Sequence, residues 1–527
     1  MGAVRSPLSV VAATVAVLLT LTAAPAAAAP RAGEPTVVAT ASGLLRGSVS
    51  GGLRHFDGVP YAAPPVGALR WRPPAAVTPW TGVRDATAPA SPCAQLPSQF
   101  LPGESNGGTS TDEDCLYLNV ATPATRSAVP RPVLVWIHGG TNLSGAGSDY
   151  DPAAFVERGI VVVSVNYRLG LLGWLAHPAL SAQSADGASG DYGLLDQQAA
   201  LRWVRSNILA FGGDPTRVTV AGQSAGSQDI CLHLASPSAA GLFQRAIMQS
   251  ATCLQTGLLA PIPLAQAEAA GANIAASVGC ADPATAAQCL RQLPVTTLLP
   301  AGAALPITGN TGTAVLPTDP ARAWSTGAVN QVPILTGSTQ DEYRLFTALF
   351  FDIPGAPLTP DSYAAILRQQ IPIPGAADAI LAEYPASAFP NASVAYSTAL
   401  TDLFSACPAY DDSTLYSGHV PVYTYEFADP DAPSFLTDPV MPLAAFHGSE
   451  LPYLFPGFGE GLSTAGQRRL ATAMTGLWSR FIAGSAPWPR FTPARDVVLR
   501  LDQPGLTPIT TFEVEHRCAF WDSIFGA

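Results

Sequence analysis

Between Pro132 and Ser250 the chain alternates short, continuously apolar runs with a longer stretch of helical period. The runs "PVLVWIHGG", "GIVVVSVNYR", "RVTVAGQS" and "FQRAIMQS" are rich in β-branched residues, and each stops at polar or glycine positions. Between the second and third lies "GLLDQQAALRWVRSNILAFGG", where Leu195, Ala199, Ala200, Leu201 and Ile208 read as one helix face closed by Gly212 and Gly213. Apolar strands separated by helices predict an α/β fold, a large, mostly parallel sheet covered on both faces. "VPILTGS" and "PVYTYEF" read as later strands of the same sheet, and "PVYTYEF" as the last of them. The Pro-rich, helix-patterned segment of about 350–410 reads as an insertion over the sheet edge. With no repeat or linker visible, residues 29–527 read as one domain.

In such a sheet ligands bind beyond the carboxyl ends of the strands, so a residue that follows a strand faces the site. Ser224 follows "RVTVAG" and opens the next helix, between Gly222 and Gly226. The spacing Gly-x-Ser-x-Gly recurs by chance, but this strand–turn–helix context is the one a nucleophile elbow needs. Glycines at both flanks allow helix and strand to approach closely, and the Ala225 N–H then points where the hydroxyl points. A serine hydroxyl needs a general base. Of the histidines, His233 is carried away along the helix, His419 precedes a strand, and His55 and His177 lie far from the later strands. His516 is a weak rival, which leaves His447 in "FHGSELPYLF", with Gly448 to bend the loop. The base needs a carboxylate partner, and Asp341, Glu342, Asp429 and Asp431 all follow strands in the right part of the chain. "WIHGGTN" supplies Gly139, Gly140 and Thr141 at another strand end, the place for oxyanion donors.

Composition narrows the rest. The chain has 527 residues, 48% hydrophobic and 12% charged, enough for a large core and too apolar for disorder. A formal charge of −12 argues against nucleic-acid binding, which needs clustered positive charge. The N-terminus has Arg5, an apolar stretch from Val10 to Leu21 and an Ala-rich run. It reads as a Sec-type signal peptide over residues 1–28, cut after Ala28, with no later segment long enough to span a membrane. A secreted protein is the expectation, and in an oxidising compartment the eight cysteines imply disulfides.

The ordered motifs "FDGVPYAAPPVGALRW", "EDCLYLNV", "WIHGG", "VNYRLGLLGWL", "FGGDPTRVTVAGQSAG", "DEYRLF", "FHGSELPYLF" and "CAFWD" resemble the type-B carboxylesterase family, the α/β-hydrolase group that includes cholinesterases, fungal lipases and bacterial esterases. The resemblance covers almost the whole mature chain. It implies a Ser224–His447–Glu342 triad and selects Glu342 over Asp341. It implies oxyanion donors at Gly140, Thr141 and Ala225, with Gly139 positioning their loop and with Ser250 and Glu450 in a supporting network. It also implies ion pairs Arg70–Glu113 and Arg168–Asp196, and disulfides Cys93–Cys115, Cys280–Cys289 and Cys407–Cys518. Cys231 and Cys253 are left over, a fourth bridge between them being open but not implied by the resemblance, and no metal or organic cofactor is implied.

Departures from the family pattern bear on specificity. Thr141 stands where a third glycine is usual, and Asn142 where an aromatic is common; the branched Thr141 narrows the alcohol side. The loop between Cys93 and Cys115 lacks the Trp that binds a quaternary ammonium in cholinesterases, and it is short beside lipase lids. The expectation is a secreted serine carboxylesterase for small-molecule esters of short to medium acyl chain, with no nucleic-acid partner and no stable membrane insertion. A lipase for longer-chain acylglycerols, or a polyester or aryl-ester hydrolase, is the alternative. Adhesion proteins of this fold lack the triad, which Ser224, Glu342 and His447 complete here. The sequons at Asn142 and Asn391 are surface candidates.

Overall fold

The computed structural model describes residues 1–2, 36–97, 109–254, 260–302, 307–436, 440–459 and 461–525. The chain divides into two units, Met1–Glu34 and Pro35–Ala527, and the sheet, its helices and the site lie in the second. The expected signal peptide therefore lies outside the described residues but for its first two positions, as does the middle of the Cys93–Cys115 loop, residues 98–108. Among the described residues no helix is long and apolar enough to cross a membrane.

The centre is an eleven-stranded sheet. Its strands are β1 (Ser48–Ser50), β2 (Leu53–Pro60), β3 (Tyr117–Pro123), β4 (Arg131–Ile137), β5 (Val161–Val165), β6 (Gly213–Gln223), β7 (Arg245–Gln249), β8 (Ile334–Thr339), β9 (Val422–Phe427), β10 (Val498–Asp502) and β11 (Gly505–Ile509). They lie in the order β11-β10-β9-β8-β7-β6-β4-β5-β3-β2-β1. The pairings from β5 through β10 are parallel, and those at both ends are antiparallel. The fold is that of an α/β hydrolase. Two strands, β10 and β11, follow "PVYTYEF", which is thus not the last: β10 pairs with β9 and puts that strand in the interior. The helical stretch from α3 (Tyr343–Thr347) to α4 (Cys407–Ser417) accordingly joins two interior neighbours, β8 and β9, not strands at a sheet edge.

Alternation along the strands explains the two cores. Val133, Val135 and Ile137 of β4 face one side with Val218 and Val220 of β6 and the helices α1 (Tyr192–Asn207) and α2 (Ala225–Ala235). Leu134 and Trp136 face the other side with Ile247, where Leu470, Met474 and Trp478 of α5 (Ala465–Ile482) cover them. Continuous apolar strands are what a sheet buried on both faces requires. The face of α1 differs from the expected one. Leu194, Ala200, Leu201 and Val204 are buried while Leu195 and Ala199 are only partly so, because the helix packs over a sheet on one side and takes the Arg168–Asp196 ion pair on the same buried surface.

The crossover from β4 runs to β5 on one side, and that from β6 to β7 on the other. The carboxyl ends of β4 and β6 therefore flank a topological switch point, the crevice where open α/β sheets bind ligands.

Candidate active site

Register brings the strand ends together: Ile137 of β4 lies opposite Gly222 of β6, and Gln223 opposite Gln249 of β7. The turn after β6 is as tight as packing permits. A Cβ on Gly222 would sit 2.6 Å from the Gly226 carbonyl carbon, and one on Gly226 only 2.2 Å from the Ile137 oxygen. Between them Ser224 adopts φ 56° and ψ −126°, a conformation that costs a non-glycine residue on the order of 1–3 kcal/mol. Its own N–H donates to the Gln249 carbonyl at 2.9 Å, and α2 starts at once with Ala225. The Ala225 N–H, first in its helix, has no intrahelical acceptor. Sequence and geometry agree on why glycine is needed here.

The loop after β4 lies against this turn. A Cβ on Gly139 would be 3.2 Å from the Ser224 Cβ. Gly140 has φ 93°, and Thr141 and Asn142 follow at 56° and 57°, two successive left-handed residues with side chains. The Gly140 carbonyl ties the turn together, accepting from the N–H groups of Leu143 and Ser144 and from the Thr141 hydroxyl at 2.7 Å.

His447 and Glu342 arrive from the other half of the sheet. Glu342 lies three residues beyond β8, where Oε1 accepts the Thr339 N–H at 2.8 Å. The backbones of the two loops are joined: Asp341 N–H donates to the Ala445 carbonyl at 2.9 Å. His447 Nδ1 meets Glu342 Oε2 at 2.5 Å, both groups buried. Its Nε2 lies 3.3 Å from the Gln223 amide, the residue before Ser224, so the ring spans from carboxylate to elbow. Burial alone would raise the Glu342 carboxyl, but the charge and hydrogen bond of His447, the Thr339 N–H and the Ser250 hydroxyl bring it below its usual value. Burial likewise opposes charge on His447, and Glu342 outweighs it and raises the imidazole. Glu450 is fully buried, accepts the Gln249 amide at 3.1 Å, and is pushed up to about 7 by burial and by the nearby charge of Glu342.

The rival groups are engaged elsewhere. Asp341 pairs with Arg344 at 2.7 Å, Asp429 accepts the Tyr453 hydroxyl at 2.6 Å, and His233 contacts Gln197 at 2.8 Å. Arg70 pairs with Glu113 and Arg168 with Asp196, as expected. The structure joins Cys93 to Cys115, Cys280 to Cys289 and Cys407 to Cys518, and adds a fourth bridge, Cys231–Cys253, tying α2 to the segment after β7. Asn142 is no surface sequon: it is 97% buried and hydrogen-bonded, beyond the reach of a glycan. Sequence reasoning passes over Gln223, Gln249 and Asp229. The signal available for Asp229 was an acid inside the otherwise apolar "AGSQDICLHLA".

His516 bridges two buried carboxylates, Nδ1 to Asp402 at 2.6 Å and Nε2 to Glu426 at 2.8 Å, with Arg500 on the far oxygen of Glu426. Burial opposes its charge, yet these hydrogen bonds raise it from 6.5 to about 9. A raised pKa means that its stabilising contribution is complete below pH 6.5 and is lost as pH rises through about 9. Burial also raises the carboxyls of Asp229 and Asp412 to about 7 and of Asp191 to about 8. These groups hold protons more tightly folded than unfolded, so they too favour the fold at lower pH. The melting temperature is therefore expected to fall between pH 6.5 and about 9, and His516→Gln to flatten the upper part of that fall; a wild-type melting temperature that rises across the window would contradict this.

A sequence profile of the Carboxylesterase family matches residues 34–521. Fumonisin B1 esterase of Sphingopyxis macrogoltabida is 36% identical over 522 residues, which cover 93% of this chain and 90% of that protein. Para-nitrobenzyl esterase of Bacillus subtilis (strain 168) is 34% identical over 494 residues, 88% of this chain and 94% of that protein. Acylcarnitine hydrolase of Mus musculus is 32% identical over 479 residues, 85% and 83% respectively.

Proposed function

Because the chain belongs to the carboxylesterase family and is a carboxylic-ester hydrolase, we propose that it cleaves small-molecule esters through Ser224, His447 and Glu342. The observation that carries this reading is His447, with one ring nitrogen on a buried carboxylate and the other beside the elbow. Glu342 fixes the tautomer with the proton on Nδ1 and stabilises the imidazolium. Ser224 Oγ attacks the ester carbonyl carbon as His447 Nε2 takes its proton. The N–H groups of Gly140, Thr141 and Ala225 receive the oxyanion, each such donor contributing about 10²–10³ in rate. The tetrahedral intermediate collapses, the alcohol leaves with the proton from His447, and the acyl group stays on Ser224. Water, deprotonated by the same imidazole, then releases the acid. Gly139 shapes the oxyanion loop, and Ser250 and Glu450 support Glu342 from behind.

The enzyme is read as exported, on the strength of the N-terminal segment and of four disulfides, which form in oxidising compartments. The acyl chain is read as short to medium, with long-chain acylglycerols or polyester and aryl esters as the alternatives. Hydrolysis of p-nitrophenyl esters from acetate to palmitate separates them: activity is expected to peak at the short end without activation by an emulsion. A palmitate optimum with interfacial activation would make it a lipase. In the same assay kcat/KM needs neutral His447, whose pKa is raised above 6.5, so activity rises with pH through a midpoint above that value. A midpoint below 6.5 would count against this role for His447.

A further inference from the structure

The left-handed pair Thr141–Asn142 raises the question of what holds it. Asn142 is tied at three atoms. Its carbonyl accepts the Gly170 N–H at 2.7 Å, its Oδ1 faces the Tyr167 hydroxyl at 3.0 Å, and its Nδ2 donates to Asp229 Oδ1 at 3.1 Å. Asp229 is on α2, five residues after Ser224, and is completely buried. Its other oxygen accepts the Gln197 amide at 2.5 Å, and Gln197 in turn contacts His233 at 2.8 Å. The Tyr167 hydroxyl also reaches the His138 carbonyl at 2.8 Å, at the start of the same loop. Strained residues persist only where their surroundings over-determine them. Here the surroundings are a polar chain that begins on the nucleophile helix and ends on the residue after Thr141.

We propose that Asn142 and Asp229 are positioning residues: their hydrogen bond fixes the oxyanion loop against the nucleophile helix, so that donors from two separate segments converge on one oxygen. This rests on the reading of Ser224 and the Gly140–Thr141 loop given above. The loop follows β4, Ala225 opens α2, and the distance between their N–H groups is set by whatever links those two elements beyond the sheet. The Asn142–Asp229 contact is such a link, and it involves none of the groups assigned to attack, proton transfer or oxyanion binding.

The test uses Asn142→Ala, Asp229→Ala, their combination and Asp229→Asn in the full-length enzyme, assayed with p-nitrophenyl butyrate and with an aryl trifluoromethyl ketone. The ketone adds the serine oxygen to form a tetrahedral hemiketal whose oxyanion occupies the donor site. Each alanine variant is expected to lower kcat by about 10²-fold, with KM changed less than about threefold and ketone affinity weakened about as much as kcat. The double variant should lose no more than about threefold beyond the worse single one, because both act through one contact. Asp229→Asn keeps an oxygen for Asn142 and should stay within about tenfold of wild type. If Asp229→Ala fails to fold, Asn142→Ala decides alone. A kcat within threefold of wild type in Asn142→Ala, or a ketone affinity unchanged while kcat falls, would overturn the proposal. Ser224→Ala is run beside them: activity surviving there would sink the underlying reading instead.

Discussion

Replacing Ser224 with alanine is expected to lower kcat by about 10⁶-fold and to leave folding intact. The size follows from what the substitution removes. In the proposed mechanism no acyl-enzyme forms without the hydroxyl, and the residual rate then comes only from polarisation of the carbonyl by the oxyanion donors, with water as the nucleophile. The fold should tolerate the change or gain slightly. Ser224 is only half-buried and sits at φ 56°, so the strain of the elbow remains while no buried partner is stranded. Steady-state kinetics with p-nitrophenyl butyrate, read beside a thermal melt, checks both halves. A variant that keeps more than about a hundredth of wild-type kcat would place the nucleophile elsewhere.

Glu342→Gln is the second large effect, about 10⁴-fold in kcat. The glutamine fits the same space, so the loss is one of proton placement. A carboxylate at 2.5 Å accepts from Nδ1 and leaves Nε2 free to take the serine proton. An amide nitrogen in that position would donate to Nδ1 and drive the ring proton to Nε2, the wrong tautomer for a base. The imidazolium of the transition state would also lose its counter-charge in a buried setting. Removing Glu342 also removes the main influence that raises the His447 pKa, so the acid limb of the pH–rate profile should move down as kcat falls. An unshifted limb in Glu342→Gln would show that Glu342 does not face the working base.

The parallel sheet and the elbow could be read directly because local chemistry dictates them. Buried strands must be continuously apolar, and a Ser between two glycines at a strand end leaves few other conformations. The strands β10 and β11 escaped because each is only five residues long, and "GLTPI" carries the Gly and Pro that also mark turns. The choice among Asp341, Glu342, Asp429 and Asp431 could not come from the residues alone. All four follow strands, and only the resemblance, or a view of which carboxylate reaches His447, separates them. The Cys231–Cys253 bridge could be offered from the two cysteines left over but not fixed, since they belong to α2 and to the segment after β7, and nothing in spacing says that these lie side by side. Asn142 misled in the other direction. Its sequon is a three-residue pattern, whereas its burial depends on Asp229, 87 positions away.

In the proposed mechanism the acyl group passes through Ser224. The most direct test treats the enzyme with a stoichiometric phosphonofluoridate, which forms a stable ester with an activated serine by displacing fluoride, and maps the modified peptide by mass spectrometry. One adduct per chain on Ser224, appearing in step with complete loss of esterase activity, is the result expected. An adduct on any other residue, or full activity in a chain fully modified at Ser224, would contradict it.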